Sequence, residues 1–459
     1  MAVESAFAQP KNHHIEIEMR GWQDTTIILS YHYAGRNYVK DTLFVYNEIV
    51  TIQGDSSLHP GMYAIIAGQN RLLDFFVDEN DQNFSFKTIR TAIIDSLIVE
   101  NSRNNENFFE WIKFLAENGK KRDSLDEVLS KAVESKKKKA KKAAVLQLEN
   151  LTRTVQEKRL ELFFSDPELL VSRFMKAQEE VIIPCKNDKE SDQRQDYLYF
   201  KRHYFDNWSL SDDALLYTPI YEQKMDWYFK NLVPLDPDSL INEGNILIEK
   251  AKGNVETYRY VIWKTTNFAE SSPIMGMERA FVHFIDNYYF PDTSLTSSAM
   301  RSRMIKRADE LRRSMVGVKA SNLVIQDSSF QLQALSNINA DFVIIYFFDP
   351  DCGHCKTETD SLLSFYRDYK AQYNFEIYAV CSDTSMTKMK TYIQNYNIPW
   401  IVVNGPRTLH QGYWELYDVP SMPTIYLIDR EKTILTKRLD AHNTFQFLKI
   451  YAMQKNKEK

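Results

Sequence analysis

The segment Phe342–Phe348, Phe-Val-Ile-Ile-Tyr-Phe-Phe, restricts the possible folds of this chain more than any other. Seven consecutive apolar residues of strand length leave no polar face for solvent, so a strand built from them has to be covered on both sides. The run is the longest of its kind in the chain and falls far short of the ~20 residues a bilayer-spanning helix needs, which argues against any membrane span. A length of 459 residues corresponds to about three domains and requires several cores. With 44% apolar and 26% charged residues, and only 13 Gly and 14 Pro, the chain is neither disordered nor low in complexity. A net charge of −5 removes the electrostatic footprint of a dedicated nucleic-acid binder.

Around the apolar run the elements alternate. Asp349-Pro350-Asp351 follows it, and Cys352-Gly353-His354-Cys355 opens a helix that carries Leu362, Leu363 and Tyr366. A strand at 377–381, a helix at Met386–Tyr396, strands at 400–403, 424–428 and 432–439, and a terminal helix with Phe445, Phe447, Leu448 and Tyr451 complete the pattern. Such alternation describes a mixed α/β sheet domain over residues 313–459.

Upstream the periodicity is different. Ile-Glu-Ile-Glu-Met at 15–19 alternates with period two, and Thr26–Tyr33 and 38–46 are rich in β-branched and aromatic residues, punctuated by Gly35, Gly54, Gly61 and Gly68. Residues 15–96 are therefore expected to form an all-β sandwich or barrel. His13-His14 reads as a solvated terminal pair, and residues 1–14 as a disordered terminus or the remnant of an export signal. Ala6-Phe7-Ala8 has the small-x-small form of a signal-peptidase site without the regions that should precede it, so both readings of the terminus stay open.

After Asn101 the apolar residues Phe108, Trp111, Ile112 and Leu115 recur at helical spacing, and residues 97–312 are expected to form an all-α domain. Ser124-x-x-Glu127 looks like a capping box opening a helix that runs past Ala144, and Asp166-Pro167-Glu168 like the start of another. Lys136 to Lys139, Lys141 and Lys142 read as a solvated helix face, given the acidic balance of the chain. The aromatic-dense stretches at 197–208 and 281–290 read as core.

Four randomly placed cysteines would give about 0.03 Cys-x-x-Cys pairs, so this pair, directly behind a buried strand, calls for a chemical reason. Thiol–disulfide exchange supplies one. It needs one sulfur exposed as a thiolate and a second within reach to break the mixed disulfide. A spacing of three places Cys352 and Cys355 about one helical turn apart. Cys352, at the helix N-terminus where unpaired N–H groups favour negative sulfur, is the expected nucleophile, and Cys355 the resolving thiol. His354 between them can donate to the thiolate or attract it as imidazolium. A zinc site would need a second ligand pair, which Cys381 and Cys185 do not provide, and both read as small buried residues. No metal and no cofactor are expected.

With these features the segment 316–455 resembles the thioredoxin superfamily, and within it the TlpA/ResA-like thiol-disulfide oxidoreductases of bacterial envelopes. The strand before the first cysteine matches, as does Cys-Gly-His-Cys. Val-Pro-Ser-Met-Pro-Thr-Ile-Tyr-Leu-Ile-Asp at 419–429 is similar to the family's cis-proline segment. The resemblance implies a cis bond at Met422–Pro423 and a client-binding surface made by Met422, Pro423 and Gly353. It also implies a proton-accepting role toward Cys355 for Glu358, one turn away. Departures accompany it: Asp351 replaces the usual aromatic residue and should oppose the thiolate, Tyr346 stands where thioredoxin has a buried carboxylate, and Asp360 replaces a helix-kinking proline. The whole chain resembles multi-domain envelope proteins of Bacteroidetes with a β-rich N-terminal domain and a helical middle.

The expected function is a thiol-disulfide oxidoreductase, in the reductase or isomerase direction, in the periplasm or cell envelope. Its partners would be cysteine-containing exported clients and a thiol protein that donates or accepts electrons. The alternative is an envelope scaffold whose thioredoxin-like module only docks.

Overall fold

In a computed structural model that describes residues 13–184 and 190–457, the period-two alternation of the N-terminal region becomes eight strands. These are β1 (His13–Arg20), β2 (Thr26–Tyr33), β3 (Arg36–Phe44), β4 (Ile49–Gly54), β5 (Gly61–Ala67), β6 (Asn70–Val77), β7 (Asn83–Ile89) and β8 (Ile98–Glu100). They form two four-stranded sheets, ordered β4-β1-β7-β8 and β3-β2-β5-β6, in which β1 and β7 are parallel. Ile15, Ile17 and Met19 from one sheet share a core with Leu29, Ile65 and Phe75 from the other, which makes a sandwich. Gly35, at φ +79°, supplies the left-handed position of the β2–β3 hairpin.

His13 corrects the expectation of a solvated pair. It is buried in β1 opposite Gly54, with Nδ1 2.6 Å from the Ser56 carbonyl, because the inward face of the strand begins at this residue; only His14 is exposed. The expected disordered terminus therefore does not extend over His13 and His14. Ala6, Phe7, Ala8 and Cys185 lie outside the described residues.

Helices follow. Ser102 caps α1 (Arg103–Glu134) by accepting the Asn105 N–H, and α1 packs along α2 (Lys138–Phe163). The expected capping box at Ser124 and Glu127 lies inside α1 and opens nothing, since no residue of 103–134 is a proline. The chain breaks instead at 135–137, with Lys136 at φ +54°, where consecutive like charges disfavour one continuous helix. α3 (Leu170–Ala177) starts later than Asp166-Pro167-Glu168 suggests, because its first free N–H groups, on Leu170 and Val171, find acceptors in Asp78 and Asn104, each at 3.0 Å. Then come α4 (Glu190–His203), α5 (Asp213–Leu216), α6 (Pro219–Asn231), α7 (Pro237–Ala251), α8 (Val255–Ser271), α9 (Glu278–Phe284) with a π-helical extension at Ile285–Tyr289, and α10 (Ser298–Arg312). Tyr204, Trp208, Phe281 and Phe284 are buried, as expected of the aromatic stretches.

The C-terminal elements are β9 (Val324–Asp327), β10 (Leu332–Ala334), β11 (Phe342–Phe348), α11 (Gly353–Tyr373), β12 (Phe375–Cys381), α12 (Met386–Tyr396), β13 (Ile401–Thr408), α13 (Tyr413–Leu416), β14 (Thr424–Asp429), β15 (Ile434–Lys437) and α14 (Ala441–Lys457). The sheet order is β10-β9-β13-β12-β11-β14-β15, with β11 parallel to β12 and antiparallel to β14. β11 is buried at every residue. Phe342, Ile344, Tyr346 and Phe348 point into a core shared with α11, α12 and α14, whereas Val343, Ile345 and Phe347 point into a second core with Tyr413 and Tyr417. By their contacts the residues divide into two compact units, one of residues up to 233 with 247–261, the other of 234–246 with 262–459.

Candidate functional site

The strand β11 ends at Phe348, and a three-residue turn delivers Cys352 to the N-cap of α11. The turn is closed by its own backbone. Cys352 N–H donates to the Asp349 carbonyl at 3.2 Å, and Asp351 N–H donates to the Asp349 carboxylate at 2.8 Å. Cys352 is partly exposed and Cys355 fully buried, so one helical turn separates a sulfur that solvent can reach from one it cannot.

The two thiols are driven apart electronically. The Cys355 N–H, then the Cys355 thiol and the His354 N–H, point at the Cys352 sulfur and hold its pKa below the ordinary cysteine value, against its partial burial and the Asp349 carboxylate. Burial pushes the Cys355 thiol up to about 12, although the Asp349 N–H donates to its sulfur at 3.4 Å. Cys352 Sγ lies 3.7 Å from the Met422 carbonyl oxygen, beside a cis Met422–Pro423 peptide bond. The expected cis bond is thus present, and the structure brings Met422 to the sulfur of Cys352.

The remaining expected residues take more specific positions. His354 is exposed, and it is its backbone N–H that acts on Cys352; its ring makes no hydrogen bond among the described residues. A side chain at Gly353 would meet open space, so the surface beside Cys352 is unobstructed. Glu358 is half-buried and accepts the Ala441 N–H at 2.6 Å, at the start of α14; burial raises its pKa. Its hydrogen bond therefore goes to α14 and not to the Cys355 sulfur.

Asp351 calls for a correction. Its carboxylate accepts from Lys388 Nζ at 2.7 Å, and the same ammonium reaches Asp383 at 3.0 Å. The charge expected to oppose the thiolate is thus countered by a cation from α12, and Asp349 is the carboxylate that opposes Cys352. Lys388 is 36 residues from Cys352 in sequence, and no spacing rule links them.

A second group was equally hidden in the sequence. The Tyr346 hydroxyl donates to the Cys355 carbonyl at 2.8 Å and lies 3.1 Å from Thr359 Oγ1, which in turn sits 2.8 Å from the Tyr392 hydroxyl. These buried hydroxyls fix the first turn of α11 from beneath. The position of Thr359, one turn after Cys355 on the same face, is the one signal that could have indicated it. Cys381, opposite Phe348 on β12, is buried, and burial raises its thiol to about 12.

Parts of the chain are similar to known proteins. Residues 339–434 match a family model described as thioredoxin-like, and residues 177–314 match a domain of unknown function, DUF5106. The thiol-disulfide oxidoreductase ResA of Bacillus subtilis is 27% identical over 121 residues, which are 26% of this chain and 64% of ResA. The chain thus spans just under two thirds of the length of that relative. Among solved structures, a thioredoxin-like protein from Bacteroides caccae is 20% identical, covering 59% of this chain and 99% of that one, with a TM-score of 0.47. A domain of a possible thiol-disulfide isomerase from Cytophaga hutchinsonii is 26% identical, covering 32% and 97%, with a TM-score of 0.29. The chain therefore carries a thioredoxin-like domain at its C-terminus, similar to thiol-disulfide oxidoreductases, behind a separate helical middle region.

Proposed function

We propose that the protein is a thiol-disulfide oxidoreductase acting through Cys352 and Cys355. The observation that carries this reading is the asymmetry of the two sulfurs, one partly exposed and pulled down by backbone donors, the other buried and pushed up to about 12.

In the reductase direction the Cys352 thiolate attacks one sulfur of a client disulfide. A bond forms between Cys352 and that sulfur, the client S–S bond breaks, and the departing client thiolate takes a proton. Cys355 then loses its proton and attacks Cys352 Sγ, which forms the Cys352–Cys355 disulfide and releases the second client thiol. The client gains two electrons and two protons, and a thiol protein upstream restores the dithiol. Supplied with electrons, the same site isomerises. The proton of Cys355 goes to the Asp349 carboxylate, whose charge acts on that thiol, or to Glu358, one turn further along α11 and kept basic by burial.

The Met422 carbonyl, 3.7 Å from the nucleophile, and the open surface at Gly353 support binding of an extended client segment at Met422, Pro423 and Gly353. Disulfides form and persist in oxidising compartments, which favours exported clients and a periplasmic or envelope location. No described helix is long and apolar enough to cross a membrane. The sandwich and the helices would position the domain or select its clients.

The test is a trap. With Cys355→Ser the mixed disulfide at Cys352 cannot resolve, and mass spectrometry should find clients attached there and nowhere else. Absence of any adduct on Cys352, while the wild type still reduces insulin, contradicts the assignment. A reversible couple between about −270 and −120 mV against glutathione is the accompanying expectation.

A further inference from the structure

The lysine run occupies a place that the solvated-face reading did not foresee, the connection of a long two-helix hairpin. α1 has 32 residues and α2 has 26, about 48 and 39 Å of helix. Between residues 119 and 161 only Ala132 and Ala144 are buried, so the outer part of the hairpin offers little beyond its own seam. Lys136, Lys137, Lys138, Lys139, Lys141 and Lys142 all surround the turn, and all are exposed.

The charges along the hairpin differ from those at its tip. On the shaft, four cations have acidic partners one turn away: Lys121 with Glu117, Arg122 with Asp126, Lys131 with Glu127 and Arg153 with Glu157. At the tip none of the six lysines forms an ion pair among the described residues. Residues 131–142 hold seven lysines and one glutamate, a net of +6 within a chain of net −5, so the remaining residues carry −11. A face that only needs to be wet would be built like the shaft, because clustered ammonium groups repel one another. The net charge of the whole chain conceals this local density.

We propose that the tip of the α1–α2 hairpin is an electrostatic docking site for an anionic lipid surface. The composition favours lipid over nucleic acid. No aromatic residue lies between Phe114 and Phe163 to stack on bases, and no arginine lies between Arg122 and Arg153 to grip phosphates or guanine edges. Lysines on flexible stems suit a diffuse layer of phosphate headgroups. Val128, Val133 and Leu146, each about half exposed, add apolar contact on the flanks.

Flotation of the full chain with vesicles of equal phosphatidylglycerol and phosphatidylcholine, against vesicles of phosphatidylcholine alone, tests this. At ~50 mM salt the protein should float with the anionic vesicles only, and ~500 mM salt should release it. Replacing Lys136, Lys137, Lys138 and Lys139 together by Gln should lower the partition coefficient about 10²- to 10³-fold, and replacing the same four by Arg should preserve it. The four residues are exposed, and circular dichroism checks the helices; the salt titration and the Arg variant decide the matter even if the Gln variant loses structure. Three results overturn the proposal: no preference of the wild type for anionic vesicles, undiminished binding by a folded Gln variant, or displacement from the vesicles by duplex DNA at equal phosphate, which would make the site one for nucleic acid.

Discussion

The sandwich and the C-terminal sheet both fill their interiors with aromatic side chains, yet they finish their strands differently. In the sandwich, two side chains that enter the interior spend their polar groups on nearby backbone: Ser30 donates to the Ala64 carbonyl, and Gln82 accepts the Leu58 N–H and donates to the Leu58 carbonyl. In the C-terminal sheet β11 is buried on both faces and runs directly into a turn whose next helix starts at a sulfur. Helix N–H groups without a partner converge there, and the sulfur they meet is reachable. The contrast teaches that reactivity follows where backbone donors are left over, not how apolar the surrounding core is.

The strongest way to break this contrast is Cys352→Ser, which should lower insulin reduction at least ~10³-fold, to the uncatalysed background. Undiminished turnover would remove Cys352 from its role. A core deletion in the sandwich is the counterpart. Phe75→Ala should cost about 3–5 kcal/mol in denaturant unfolding of that region while leaving the alkylation rate of Cys352 in folded protein unchanged. A change in that rate would show that the thiol is not set locally.

Two smaller substitutions sharpen the picture. Tyr346→Phe removes the hydroxyl that donates to the Cys355 carbonyl and should destabilise the thioredoxin-like domain by about 1–3 kcal/mol, read by urea unfolding. Lys388→Met releases the Asp351 charge beside Cys352. A nearby anion disfavours the thiolate, so the alkylation midpoint should move to higher pH, by a few tenths of a unit at most because the pair is exposed. In an Asp351→Asn background the same substitution should have no such effect; a shift of equal size there would mean that Lys388 acts by another route.

Periodicity made much of this legible. β2 and α12 appear with the expected bounds, and the buried strand, the dithiol and the proline segment stand out because each is contiguous in sequence. The break at Lys136 escaped because it depends on charges spread over two helices, and a good local capping pattern at Ser124 pointed elsewhere. The start of α3 is decided by Asp78 and Asn104, which tertiary structure brings to it. Likewise the pairing of Asp351 with Lys388, and of Tyr346 with Thr359 and Tyr392, joins residues from separate elements that no local pattern connects.

The most direct measurement is the pH dependence of iodoacetamide alkylation at each of the two cysteines, read by peptide mass spectrometry on the folded full chain. Because its pKa is lowered, Cys352 should gain reactivity as pH rises with a midpoint below that of a free cysteine measured alongside, while Cys355 stays unmodified until the protein approaches pH 12. A Cys352 midpoint at or above the free value, or modification of Cys355 first, would contradict the division of labour between the two sulfurs.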